Sequence, residues 1–158
     1  HGNESANFCE VMSHVTGVVK AFGVDEGFDF NTLNDYEGKC HYFLFDTKTP
    51  EHGGSGKQFD RSVLKNYKLS TPYFISGGFG LAEIEEIKKE DLKNYGIDVN
   101  SKFEIAPALK DIEKLKIFEH PFFYCVDVNS RVEISEGIKD MTSIEILADE
   151  LLDKKLKI

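Results

Sequence analysis

The sequence has no tryptophan, three cysteines and four prolines, and it is short of cationic side chains. Cys9, Cys40 and Cys125 are odd in number, far apart and without CxxC spacing, so neither a disulfide framework nor a zinc knuckle is indicated, and a reducing cytoplasm is the expected setting. HExxH is absent and His14, His41, His52 and His120 show no ligand spacing, so no metal is assigned. The 19 Lys and Arg against 28 Asp and Glu leave a net charge of 19 − 28 = −9, with the cations scattered singly, which argues against a nucleic-acid partner. No run approaches the ~18 consecutive apolar residues of a membrane helix, and HGNESANFCE lacks the basic and apolar regions of a signal peptide, so no membrane association is expected. The first residue is His rather than Met, which reads as a processed chain or a piece of a longer one.

What is present is a core. Hydrophobic residues make up 41% of the 158, a globular composition, and the length predicts one domain over 1–158. Short apolar runs recur: Val18–Phe22, Tyr42–Asp46, Pro72–Ser76, Tyr95–Val99 and Tyr124–Val128. They are β-branched or aromatic and lack polar alternation, as parallel strands buried on both faces do. Between them, Leu81–Lys88 places Leu81, Ile84 and Ile87 on one stripe, and Ala108–Phe118 does the same with Leu109, Ile112, Leu115 and Phe118. Strands alternating with helices at this spacing give βαβ units and the α/β class.

The chain also contains a repeat. Tyr95–Ile112 (YGIDVNSKFEIAPALKDI) aligns without a gap to Tyr124–Met141 (YCVDVNSRVEISEGIKDM) at an offset of 124 − 95 = 29, with about half the positions identical. That offset is about one βα unit, so one unit has been copied or two versions of it joined.

Three places can carry chemistry. Asp46 closes an apolar strand, where a carboxylate either caps the following loop or has a chemical task. The loop after it, TKTPEHGGSGK, holds Gly53, Gly54, Ser55 and Gly56, whose backbone a ligand can approach closely, although most such loops only turn the chain. Ser76-Gly77-Gly78 and Asn100-Ser101 each follow a strand. Each can be a tight turn or a set of backbone donors for an anion; Pro107 then suits a first helical position. At −9, phosphate binding has to come from dipoles and backbone donors.

FDTKTPEHGGSGKQFD, followed by FISGGFG and GIDVNSKFEIAPALKD, resembles the carboxyl-terminal half of phosphoribosylanthranilate isomerase, a (β/α)8 TIM-barrel family of tryptophan and hence aromatic amino acid biosynthesis. HGNES, VVKAF and YFLFDT fall in the family's order, so the resemblance runs over roughly 1–118 and returns over 122–147 through the repeat. It implies an isomerase catalysing an Amadori rearrangement of a small phosphorylated substrate, N-(5-phosphoribosyl)anthranilate, to the aminoketose, without a metal or an organic cofactor; the alternative is a non-catalytic, self-associating barrel fragment that retains a phosphate-binding site. Asp46 stands in the position of the family's general acid, at the end of the sixth barrel strand. Gly77, Gly78, Asn100, Ser101 and a helix start near Ala106–Ala108 would hold the phosphate, and Gly54 and Gly56 would shape the loop beside the sugar. The family's Lys-x-Cys-Gly base motif and its early arginine have no counterpart here; Cys40 and Cys125 lie at strand beginnings and Cys9 in a helix after HGNES. Arg61 stands where the family usually has Trp. The expected fold is a partial barrel of about five βα units, 1–118 being the barrel's carboxyl-terminal half and 119–158 a duplicated terminal unit. The alternative is a rearranged open parallel sheet. A partial barrel has strand edges that would take a second copy or a complementing amino-terminal half.

Overall fold

The computed structural model describes residues 3–48, 59–90, 92, 95–106, 109–116, 125–127, 133–135 and 138–139. Its centre is a five-stranded parallel sheet of β1 (Val19–Val24), β2 (Tyr42–Thr47), β3 (Tyr73–Ile75), β4 (Gly96–Asp98) and β7 (Cys125–Asp127), in that spatial order. All five fall within or beside the expected apolar runs. Each new strand adds to the same edge, so the order never reverses as it does in a doubly wound sheet. Right-handed crossovers in such a sheet put every connection on one face, which is the winding of a barrel.

The two faces are unequal for this reason. Phe43, Phe45, Tyr73, Ile75 and Ile97 are buried against the connections, where Leu33, Leu64, Ile84, Ile87 and Phe103 complete the core. Full burial of a Phe such as Phe43 or Phe45 is worth about 2–3 kcal/mol. The alternating residues Tyr42, Leu44, Asp46, Phe74, Ser76 and Asp98 are only half-buried. At the amino-terminal end of this second face the Tyr42 ring lies 5.2 Å from Phe74 and 4.9 Å from Tyr95.

Local chemistry sets the connections. Helix α1 (Ala6–Ser13) starts where the Ser5 hydroxyl accepts from the Phe8 amide at 3.2 Å. Just before it, Glu4 pairs with the buried Lys20 of β1 at 2.8 Å. Short 3-10 segments over Phe30–Tyr36 and Arg61–Asn66 are capped by Asp29 and Asp60, which accept from the amides two residues on. Helix α2 (Leu81–Ile87) occupies the stretch expected from its Leu81, Ile84, Ile87 stripe, burying Ile84 and Ile87. Arg61 fits its site: its guanidinium, with the side chain 10% exposed, reaches Glu86 at 3.1 Å and Glu90 at 3.4 Å and lies over the Phe79 ring.

The expected helix over Ala108–Phe118 is corrected. Residues 109–110 are instead β6 (Leu109–Lys110), paired antiparallel with the preceding β5 (Glu104–Ala106), and among the described residues the helix α3 runs over Ile112–Leu115. Asp111, not Pro107, makes the cap: its carboxylate accepts from the Lys114 amide at 3.2 Å and its carbonyl from the Leu115 amide at 3.1 Å. Pro107 and Ala108 lie outside the described residues. The second repeat carries the same hairpin, β8 (Glu133–Ser135) with β9 (Ile138–Lys139).

Candidate functional site

The carboxyl ends of the strands bring most of the expected residues together. The β1–β2 register sets Gly23 beside Asp46, and the β4–β7 register sets Asp98 beside Asp127. Between them, the Ser76 amide donates to the Phe45 carbonyl at 2.8 Å, and its hydroxyl donates to Asp98 Oδ2 at 3.0 Å. Asp46 is half-buried, and its Oδ1 accepts from the Thr47 amide at 2.8 Å. It is therefore held by its own turn while staying partly exposed.

Gly77 and Gly78 follow Ser76 with φ of 117° and 62°. Both values lie in the region that a β-carbon disfavours, so the turn needs glycine, and it brings bare backbone over the end of β3. Across from it, Asn100 donates from Nδ2 to Asp98 Oδ1 at 3.2 Å and precedes a 3-10 turn, Ser101–Phe103, in which the Phe103 amide donates to the Asn100 carbonyl at 3.0 Å. Ser101 itself is exposed. Asp98 thus joins the two turns, accepting from Ser76 on one side and from Asn100 on the other.

A second bridge lies just outside. Glu83 accepts from the Gly80 amide at 2.8 Å and from Lys102 Nζ at 2.9 Å. The Lys102 ammonium beside it, then its own amide and that of Gly80, hold the Glu83 carboxyl down at about 2. A β-carbon on Gly80 would meet Glu83 Oε2 at 2.9 Å and Lys102 Cδ at 3.0 Å, so this position is closed to any larger residue without rearrangement.

Asp46, Gly77, Gly78, Asn100 and Ser101 are thus all at one end of the sheet, whereas Gly54 and Gly56 lie outside the described residues. The helix start expected near Ala106–Ala108 is not part of the site, because Ala106 ends β5 and α3 begins only at Ile112. Ser76, Asp98, Glu83 and Lys102 add to the expected set. Asp98 had a readable signal: like Asp46, it is a carboxylate closing an apolar strand. The Glu83–Lys102 pair spans 19 residues and leaves no mark in the local sequence.

The cysteines stand elsewhere. Cys9 is on α1, Cys40 precedes β2 at the amino-terminal end, and both are buried. Burial, and then the neighbouring Cys9 thiol, push the Cys40 thiol up to about 12, which makes it unfit as a base near neutral pH. A cavity of about 750 Å³ beside Tyr67, Thr71, Tyr73 and Leu92 is likewise at the amino-terminal end of the strands, away from Asp46. Among the described residues there is no cluster of metal-ligating side chains, and no helix is long and apolar enough to cross a membrane.

Comparison with known proteins shows the family. The family model for N-(5'-phosphoribosyl)anthranilate (PRA) isomerase matches residues 1–121. The N-(5'-phosphoribosyl)anthranilate isomerase of Parabacteroides distasonis is 46% identical over 120 residues, covering 75% of this chain and 54% of that protein. The enzyme of the same name from Phocaeicola vulgatus is 42% identical over 115 residues, covering 70% and 55%. The crystal structure of phosphoribosyl anthranilate isomerase from Thermus thermophilus superposes with a TM-score of 0.60 at 29% identity, covering 73% of this chain and 55% of that one. The chain spans about half the length of the relatives it matches. By the family match and the shared parallel-sheet fold of TIM-barrel type, this chain belongs to the PRA isomerase family.

Proposed function

We propose that this chain carries the phosphate-holding and acid half of a phosphoribosylanthranilate isomerase site, acting in the cytoplasm within tryptophan biosynthesis. The observation that carries the reading is the convergence of Asp46, the Ser76-Gly77-Gly78 turn and the Asn100-Ser101 turn at the carboxyl ends of adjacent parallel strands. Ligands of parallel α/β sheets bind at that end.

In this reading Gly77 and Gly78 meet the phosphate from one side, and Asn100 and Ser101 from the other. The positive-φ glycines allow close approach of backbone donors. Gly54 and Gly56 belong to the loop beside the sugar. Asp46 protonates the ring oxygen of the aminoaldose, the C1′–O bond breaks, and the anthranilate nitrogen lone pair forms the iminium. A base then takes the proton from C2′ and leaves an enol amine, which tautomerises to the aminoketose. No cofactor enters this scheme. No Lys-x-Cys-Gly motif stands among these 158 residues, so in this reading the base comes from the amino-terminal half of the barrel.

Turnover is the test, followed by the loss of phosphoribosylanthranilate fluorescence. The chain alone is expected to be nearly inactive. The chain mixed with a separately made amino-terminal half of the Parabacteroides distasonis relative is expected to turn over. Full activity of the chain alone, or none in the mixture, contradicts the reading.

A further inference from the structure

The family match stops at residue 121, but the parallel sheet continues past it with β7. The pairs Gly96↔Cys125, Ile97↔Val126 and Asp98↔Asp127 are each 29 residues apart, the offset of the sequence repeat. The hairpins obey the same rule. Glu104↔Lys110 and Ala106↔Leu109 become Glu133↔Lys139 and Ser135↔Ile138, every residue advanced by 29. The described residues of the second copy therefore keep the strand and hairpin of the first, and β7 pairs with β4 equivalent residue against equivalent residue.

That edge has a particular place in the topology. β4 is the last sheet strand within the family match, and in a sheet wound in one direction the closing strand of a barrel must pair with the last one. The position is taken by a strand of this chain itself. Three register pairs join β7 to β4, against six between β1 and β2, three between β2 and β3 and two between β3 and β4. At the opposite edge no described strand lies beyond β1, where Val19 and Gly23 are exposed. An incoming half-barrel would thus meet one open edge and one covered edge.

We infer that the outer edge of β4 is an acceptor for a parallel strand from a complementing chain, and that β7 is a displaceable plug that competes for it. The inference rests on the half-barrel reading above. Its expected consequence is a lowered apparent affinity, because a partner binds only the fraction of molecules whose acceptor edge is uncovered.

Val126→Pro puts a residue that cannot donate a ladder hydrogen bond in the middle of β7. Sedimentation of the wild-type chain and this variant with the amino-terminal half of the Parabacteroides distasonis relative should show binding at least ~10-fold tighter for the variant, the gain expected if the plug is docked in roughly nine-tenths of wild-type molecules. Hydrogen exchange on the wild-type chain checks the same point without any substitution. Amides of 125–127 should lose protection as the half saturates, while those of β1 to β3 keep theirs. Equal affinities with 125–127 still protected in the complex would overturn the plug, and so would the absence of binding to either protein. Equal affinities with turnover would sink the plug and leave the isomerase reading standing; tighter binding of the variant without turnover would do the reverse.

Discussion

Replacing Glu83 by Gln removes one charge from the clamp that ties α2 to the turn after β4. Glu83 Oε1 is 2.9 Å from Lys102 Nζ and Oε2 is 2.8 Å from the Gly80 amide, and glutamine can keep an acceptor for that amide while losing the ion pair. Depression of the carboxyl from an ordinary 4.5 to about 2 corresponds at face value to about 3 kcal/mol. Lys102 is 42% exposed, so solvent screening cuts the contribution to about 1 kcal/mol. Because the folded value lies below the unfolded one, this stability is complete above about pH 4.5 and is lost as the pH falls from there toward 2. Urea unfolding followed by circular dichroism should therefore find Glu83→Gln about 1 kcal/mol less stable than wild type at pH 7. The gap should shrink steadily below pH 4.5, and it should also narrow with added salt. A gap that is constant with pH would mean that packing, not charge, holds α2 to the turn. No gap at pH 7 would refute the clamp.

Three further outcomes test the site and its support. Gly77→Ala forces a β-carbon onto a φ of 117° and should cost at least ~1 kcal/mol in urea unfolding, with weaker binding of ribose 5-phosphate. Arg61→Ala removes the bridge to Glu86 and Glu90 and the contact with Phe79, for a loss of about 1–2 kcal/mol. Arg61→Lys should recover less than half of that loss, because an ammonium has no planar face to lie over the Phe79 ring. Ser101→Asp should weaken ribose 5-phosphate binding by at least ~10-fold in calorimetry while Ser130→Asp leaves it unchanged, since a tenfold loss requires only about 1.4 kcal/mol of repulsion. Loss in the Ser130 variant alone would assign the phosphate to the second copy.

The sheet was legible because its strands announce themselves. YFLFD and PYFIS are too apolar to lie anywhere but inside, and β2 and β3 form within a residue or two of those bounds. The stretch ALKDIEKLKIF misled because two patterns overlap in it. Leu109, Ile112, Leu115 and Phe118 have helical spacing and Pro107 suits a helix start, yet β5 captures β6 as a hairpin first, and Asp111 is the residue that caps the helix. A cap of the Asp type four residues after the proline was the available signal. The site was legible in part for the same reason the strands were: Asp46, Gly77-Gly78 and Asn100-Ser101 are each written at a strand end. Their junction through Asp98 and the outer Glu83–Lys102 pair is set by which strand lies beside which, and pairing between strands is a property of the whole fold rather than of any local stretch. The repeat shows the opposite case. Its offset of 29, read from sequence, reappears as the register of β4 with β7 and in both hairpins.

In the function proposed above, Asp46 supplies the acid and the phosphate cradle is independent of it. The most direct measurement compares wild type and Asp46→Asn, each mixed with the same complementing half, for turnover and for ribose 5-phosphate affinity. A fall in kcat of at least ~100-fold is expected, with affinity unchanged within about twofold. Turnover by Asp46→Asn close to wild type would contradict it.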